Sequence, residues 1–496
     1  MSKLSDSERE LLLRGLSGMG DAGQAESGNA DKFREMFHPV PEHARAFATD
    51  STLIIGERGS GKSELFRGAV EFDLLPVIRT FAPGVRLPPL DNGKTQWIQA
   101  YPLHGGFPDV AGLKRFMGGG TLKSGEVQGL WFAYLIRVLK AHLEQQDTQA
   151  LADLLNPQGA EISPIMTAFA KAEEATVLAL DRLDQKLVAE DRWIFVGYDE
   201  LDTLGDYDWS VMGETISGLI SFWAAYSRRW RRIRAKVFMR TDLFRRNSAT
   251  LSADLPKLAA NRAELYWSDK NLYAMLVKRI ANTSEDLLRY CQSAKIPFND
   301  RHPEFGWVPI IDRAEAAQPL VTRLIGLYMG ANQNKGLTFN WLLDHIRDGQ
   351  DKAYPRALVR LMEQAAVIEL ESPKAVRDHL LHPTSVRRAI DEVSKFQVKQ
   401  AISHEWPWLE GVKQRIQGES VPMSRRVLES LLRSDWDKSW SPPHEGVRPP
   451  TDDARNLVNY LVELGILRER GGDRLDAPDL YQSGLGLKRK GGVRRY

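Results

Sequence analysis

With 496 residues, 43% hydrophobic and 27% charged, the chain is long enough for two to four domains and too apolar to be disordered as a whole. One cysteine, Cys291, rules out an intrachain disulfide and a cysteine-rich zinc site, and a net charge of +2 leaves nucleic-acid binding to depend on where the cations sit. No stretch of about 18 uninterrupted apolar residues is present, and the N-terminus MSKLSDSERELLLRGL lacks a signal-peptide core, so the expectation is a cytoplasmic protein without a membrane partner.

Residues 1–48 are expected to be an N-terminal arm, with a short amphipathic pattern at Glu8–Leu16 and a Gly/Ala/Asp-rich flexible stretch after it. Residues 49–267 follow as the expected core. The run Thr52-Leu53-Ile54-Ile55 is apolar and largely β-branched, as in a buried strand. It enters GERGSGKS, which fits G-x-x-x-x-G-K-[ST], and Glu64 opens a segment of helical spacing. Strand, loop and helix in this order make a phosphate cradle. Gly56, Glu57, Arg58, Gly59, Ser60, Gly61, Lys62, Ser63 and Glu64 are therefore the candidate ATP-binding residues, the glycines letting successive backbone N–H groups converge on a polyphosphate. Lys62 reaches the β and γ oxygens in this reading, and Ser63 holds Mg²⁺.

More than 130 residues separate Lys62 from the next acidic strand, which predicts inserted helices, among them Val127–Leu143 and Thr176–Val188, beside a strand at Thr95–Tyr101 and a loop-rich Gly105–Gly120. The strand Trp193–Tyr198 ends in Asp199-Glu200, two carboxylates expected at the C-terminal edge of a parallel sheet. Asp199 is the candidate metal residue with Ser63, and Glu200 the catalytic group that polarises water. A helix over Ser210–Trp230 is expected to end in the cationic run Arg228–Lys236, read either as cations at a helix C-terminus on a solvated surface or as a phosphate-contacting patch around Trp230. The strand Lys236–Met239 then presents Arg240 or Thr241 as a γ-phosphate sensor.

Residues 268–400 read as a helical lid, with helices at Leu272–Asn282, Leu320–Tyr328, Phe339–Arg347 and Pro355–Glu369. Arg356 at the start of the last is either a surface residue or one that folds onto the nucleotide. Residues 401–496 combine a connector around Trp406 and Trp408, helices at Ser424–Arg433 and Asp452–Leu464, a Gly465 cap and a Gly471-Gly472 hairpin, the pattern of a winged helix. A basic tail from Lys488 to Tyr496 follows. Winged helices dock on DNA or on proteins, and both stay open here.

GERGSGKS, IFVGYDELDTL, KVFMRTDLF and YPRALVRLMEQA, followed by a winged helix, resemble the AAA+ and STAND type of P-loop ATPases, most like the initiator branch and a prokaryotic group often found in mobile or defence-associated loci. The resemblance implies an α/β fold with a P-loop core on a parallel sheet, a helical lid and a C-terminal winged helix. It implies Lys62, Ser63, Asp199 and Glu200 around Mg²⁺ and ATP, Arg240 or Thr241 as catalytic sensor and Arg356 as the second sensor. It also implies a homo-oligomer whose ATP or ADP state controls assembly on DNA or with an effector protein, with Arg245, Arg246 or Arg262 as a trans-acting finger. A scaffold without turnover and a DNA-replication or transposition loader are the alternatives.

Overall fold

A computed structural model of the chain describes residues 4–20, 29–81, 84–89, 93–102, 112, 115–116, 124–156, 162–204, 209–248, 258–372, 379–438, 440 and 447–491. The expected flexible stretch after Gly20, most of Gly105–Gly120, and the tail beyond Gly491 lie outside these residues. The chain divides into two compact units, one of residues 39–57 and 61–266, the other of residues 1–38, 58–60 and 267–496.

The first unit is built on a five-stranded parallel sheet, β1 (Leu53–Gly56), β2 (Thr95–Tyr101), β3 (Trp193–Tyr198), β4 (Ile233–Arg240) and β5 (Ala263–Leu265), in the order β2-β3-β4-β1-β5. Parallel strands covered on both faces read as continuous apolar runs, and β1 is buried at every residue. The inserted helices supply the cover. Ser124–Val138, Ile162–Ala189 and Trp209–Tyr226 pack Trp131, Trp223 and Trp230 into one core, with the Phe132, Phe222 and Tyr226 rings 4.9 to 5.3 Å apart. Trp131 donates its indole N–H to the Thr215 carbonyl at 2.8 Å, so a bulky aromatic is buried without stranding its polar atom.

The cationic run departs from expectation. The helix stops at Tyr226, and Ile233 already begins β4, so Arg228–Arg232 form the connection rather than a helix C-terminus. Nor is it a phosphate-contacting patch around an aromatic: Trp230 is 1% exposed and donates to Asp181 at 3.0 Å, beside a bidentate Arg229. Asp184 accepts the backbone N–H groups of Arg231, Arg232 and Ile233, while Arg232 pairs with Asp191 at 3.0 Å and lies over Trp193. Lys236 is wholly buried, donating to the carbonyls of Ala46, Ala48 and Ser51. Arg228 and Arg231 are exposed and make no ion pair among the described residues.

In the second unit, helices Asp269–Thr283, Glu285–Ser293, Gln318–Ile325, Thr338–Asp344, Pro355–Glu371 and Pro383–His404 make up the helical region expected from the sequence. The N-terminal helix Asp6–Ser17 belongs to this unit, where Arg9 meets the buried Glu369 at 2.6 Å. The winged helix runs Leu409–Ile416, β6 (Ser420–Val421), β7 (Met423–Ser424), Arg425–Arg433, Ala454–Glu463, β8 (Arg468–Arg470), β9 (Arg474–Asp476) and β10 (Lys488–Arg489). Strands β7, β9 and β8 make its antiparallel sheet, and β10 pairs with β6. The supposed connector thus contains the domain's first helix. Gly465, at φ +71, ends the Ala454–Glu463 helix as its sequence position suggests. The basic tail is only partly free: Arg489 donates both ways to the fully buried Asp476 at 2.7 and 2.9 Å and to Asp479 at 2.8 Å, whereas Lys488 and Lys490 are exposed.

Candidate nucleotide site

Inside the first unit the end of β1 hands the chain to a turn and then to the helix Lys62–Val70. Gly61 stands at φ +96 at the entry of that helix, a left-handed conformation that side-chain-bearing residues resist, and it leaves the first helical N–H groups facing outward. Lys62 curls back, donating from Nζ to the carbonyls of Gly56 and Glu57 at 2.9 Å each. Its ammonium is therefore held over the loop where a phosphate oxygen would substitute for those carbonyls.

Asp199 closes the other side. It is 4% exposed, its backbone N–H donates to the Tyr101 carbonyl at 2.9 Å, and its carboxyl lies near two potential donors, the Ser63 hydroxyl and the Glu200 backbone N–H. Burial pushes the Asp199 carboxyl up to about 6, against the pull of those two donors and of the Lys62 charge, while the Glu200 charge pushes the same way as burial. Ser63, Lys62 and Asp199, more than 130 positions apart along the chain, thus share one spot. Glu200 follows in a left-handed conformation at φ +51 and is exposed, its carbonyl accepting from the Thr203 hydroxyl at 2.8 Å. The reversal breaks the alternation of the strand and aims the second acid differently from the first.

The close approach of β3 and the phosphate-loop helix is written in Gly197. A methyl there would stand 2.6 Å from the Phe66 ring. Glycine inside a strand marks such an approach, a signal present in the sequence that the motif reading does not use.

Arg240 and Thr241 sit at the end of β4, level with Gly56 of β1. The Arg240 guanidinium is held by Asp242 at 3.0 and 2.6 Å and by Asp202 at 3.2 Å, which ties the turn after Glu200 to the end of β4. Thr241 opens the helix Thr241–Ser248. Of the three candidate fingers, Arg262 donates to Glu264 at 2.6 Å, Arg245 is exposed, and the Arg246 side chain lies outside the described residues.

The remaining loop residues group with the second unit. There Arg58 pairs with Glu405 at 2.9 Å with both side chains largely buried, and the Ser60 carbonyl accepts from the Trp267 indole at 2.8 Å while the Ser60 hydroxyl is buried with no partner among the described residues. Gly59, at φ +76, has Tyr354 and Arg356 for neighbours, the Arg356 Cβ 3.6 Å from where a Cβ on the glycine would lie. Sequence reasoning places Arg356 near the loop but has no route to Glu405 or Trp267, which are local to nothing in the motif.

Among the described residues no three His, Cys, Asp or Glu gather into a metal cage. A magnesium ion fits differently: it takes one or two protein ligands and completes its shell with water and phosphate, and the Ser63–Asp199 pair beside the Lys62 amine is that kind of donor set. Among the same residues no helix is long and apolar enough to cross a membrane.

No protein-family model matches the chain, and no curated protein matches it. Among solved structures it is similar to the ORC1 protein of Aeropyrum pernix in complex with DNA, at 13% identity over 98% of this chain and 91% of that one, TM-score 0.33. It is also similar to the ORC2 protein of the same organism in ADPNP-ADP complexes, at 12% identity over 89% and 90%, TM-score 0.30. A third likeness is the Walker-type ATPase PABY2304 of Pyrococcus abyssi, at 13% identity over 88% and 90%, TM-score 0.36. At TM-scores this low the likeness carries no argument, and the chemistry rests on the chain's own residues.

Proposed function

We propose that the chain is a magnesium-dependent ATPase of the AAA+ kind, working in the cytoplasm as a nucleotide-controlled switch. The observation that carries this reading is the buried Asp199 carboxyl brought beside the Ser63 hydroxyl and the Lys62 charge. In this mechanism Lys62 exchanges its Gly56 and Glu57 carbonyls for β and γ oxygens of ATP, and the loop N–H groups take the remaining phosphate charge. Ser63 and Asp199 would hold Mg²⁺, which when bound would supply charge neutralisation for the phosphates. Glu200 accepts a hydrogen bond from water and turns its lone pair toward the γ-phosphorus. Arg240 keeps the turn bearing Glu200 in place through Asp202, and Thr241 is the sensor that faces the phosphate. Arg356, beside Gly59, is the second sensor.

The output of the switch is assembly into a homo-oligomer on DNA or on an effector protein through the winged helix. Exposed Arg455, Asn456 and Asn459 on the Ala454–Glu463 helix and Lys488 and Lys490 beyond it favour DNA, as a replication loader would require. A defence-associated, STAND-like scaffold with negligible turnover predicts the same ATP binding without hydrolysis.

The test is ATP binding and hydrolysis by two variants. Lys62→Ala loses binding; Glu200→Gln keeps it and loses turnover by about 10²–10⁴-fold. Wild-type hydrolysis by both removes the site from contention, and binding by a wild-type protein that never turns over selects the scaffold.

A further inference from the structure

Three successive residues of the phosphate loop, Arg58, Gly59 and Ser60, group with the second unit, and each meets a fixed partner there. The Ser60 carbonyl accepts from the Trp267 indole, and Gly59 turns at φ +76 against the start of the Pro355–Glu371 helix. The Arg58 contact differs in kind: it is a charge pair with Glu405 whose side chains are only 12% and 10% exposed. The acid is firmly held, because Glu405 ends the Pro383–His404 helix with its backbone N–H on the Ala401 carbonyl at 3.0 Å. Trp406 and Trp408, both buried, follow it into the winged helix. The Tyr481 hydroxyl of that domain lies within reach of both charges. Burial first, and then the Asp348 charge, raise its proton affinity; Glu405 adds to the rise and Arg58 opposes it. The mechanism above gives Glu405 no part.

We propose that Glu405 is a positioning residue for the nucleotide: by holding Arg58 it keeps the phosphate loop in the turn that presents its N–H groups, and so sets nucleotide affinity without touching the ligand. This rests on the nucleotide reading above and adds to it a determinant outside the motif. A loop gives up backbone freedom to converge on a polyphosphate, and a loop already pinned gives up less on binding. Of the three anchors, the charge pair is the one whose loss cannot be absorbed in place. An arginine cannot shed its proton, so once its acid is gone it keeps a buried charge and is driven toward water. Released, Arg58 draws Glu57 and Gly59 out of the turn. Glu57 supplies one of the two carbonyls that Lys62 holds, so the disturbance reaches the phosphate-binding ammonium.

The experiment titrates full-length protein with a fluorescent ATP analogue and Mg²⁺, comparing wild type, Glu405→Gln, Arg58→Gln and the double variant. Freeing the backbone of one loop residue costs a factor of about ten in affinity, so each single variant is expected to bind about tenfold more weakly. The double variant is expected to bind no more weakly than either single one, since all three break the same pair. It also leaves no unpaired charge, and so serves where a single variant does not fold. Glu369→Gln is the control for general loosening. That carboxylate is fully buried and paired with Arg9 at the far end of the Pro355–Glu371 helix, so its variant loses stability in urea unfolding and keeps the wild-type Kd. The inference falls if Glu405→Gln binds as tightly as wild type, or more tightly because Glu405 withholds Arg58 from phosphate. It falls equally if the losses multiply in the double variant, or if Glu369→Gln weakens binding as much. A wild type that binds no nucleotide removes the nucleotide reading itself, and this inference with it.

Discussion

Replacing Asp199 by Asn removes a carboxyl whose ionised form the fold disfavours. Burial raises that group from 3.8 to about 6, so the folded state binds its proton more tightly than the unfolded chain does. The stability this supplies is complete below about pH 4 and is lost as pH rises through 6. A rise of that size corresponds to about 3 kcal/mol, of which about half is already forfeited at pH 5 and all by pH 8. Asp199→Asn escapes the loss, so without nucleotide its stabilisation over wild type grows from near zero below pH 4 to about 3 kcal/mol above pH 7. The assay is urea unfolding across that range, read as the difference in free energy between the two proteins. Adding Mg²⁺ and ATP narrows the difference, because the Asn variant keeps Lys62 and the loop but lacks the carboxylate that would hold the metal, so the wild type gains more of the ligand's stabilisation. A pH-independent difference, or an Asn variant less stable than wild type at pH 8 without ligand, refutes the argument that this carboxylate is held in its charged form at the expense of the fold.

Gly197→Ala drives a methyl into the Phe66 ring, and a destabilisation of about 1–3 kcal/mol with weakened nucleotide binding is expected in thermal unfolding and ATP titration. Trp230→Ala costs about 3–5 kcal/mol, whereas Arg228→Ala and Arg231→Ala stay within about 0.5 kcal/mol in the same unfolding assay. Lys278, buried against the Glu35 and Phe305 carbonyls, is lowered to about 7, chiefly by burial. The folded state therefore disfavours its proton, and stability rises by about 2 kcal/mol between pH 7 and 9; Lys278→Met flattens that slope in denaturant unfolding.

What was legible in the sequence was local. GERGSGKS carries its geometry in eight adjacent residues, and Asp199-Glu200 announce themselves at the end of an apolar run, so loop and acids were readable before any fold. Pairing was not. Arg240 ends its strand as expected, but Asp202 and Asp242 engage its guanidinium, and neither carboxylate is marked by spacing. The cationic run misled because six cations in nine residues look solvated until Asp181 and Asp184, on a helix some 50 positions earlier, are seen to receive them. Leu409–Ile416 escaped notice because Pro407 and two tryptophans before it resemble a linker. Its helical face shows only once Trp408 and Leu409 are seen buried.

Asp476 has a consequence for how DNA binding should be probed. This carboxylate has no solvent of its own and is neutralised by Arg470 at 2.8 Å and Arg489 at 2.7 Å, with Arg468 farther off at 3.9 Å. Arg489 looks in the sequence like one bead of a dispensable string, yet it serves as a rivet through the hairpin. Clipping the chain before it takes from the buried Asp476 one of its two close arginines and from Asp479 an ion-pair partner, loosening the wing even though Arg470 stays, so lost DNA affinity would report a weakened domain as well as a missing contact. Neutralising Lys488 and Lys490 while sparing the arginine between them asks the cleaner question.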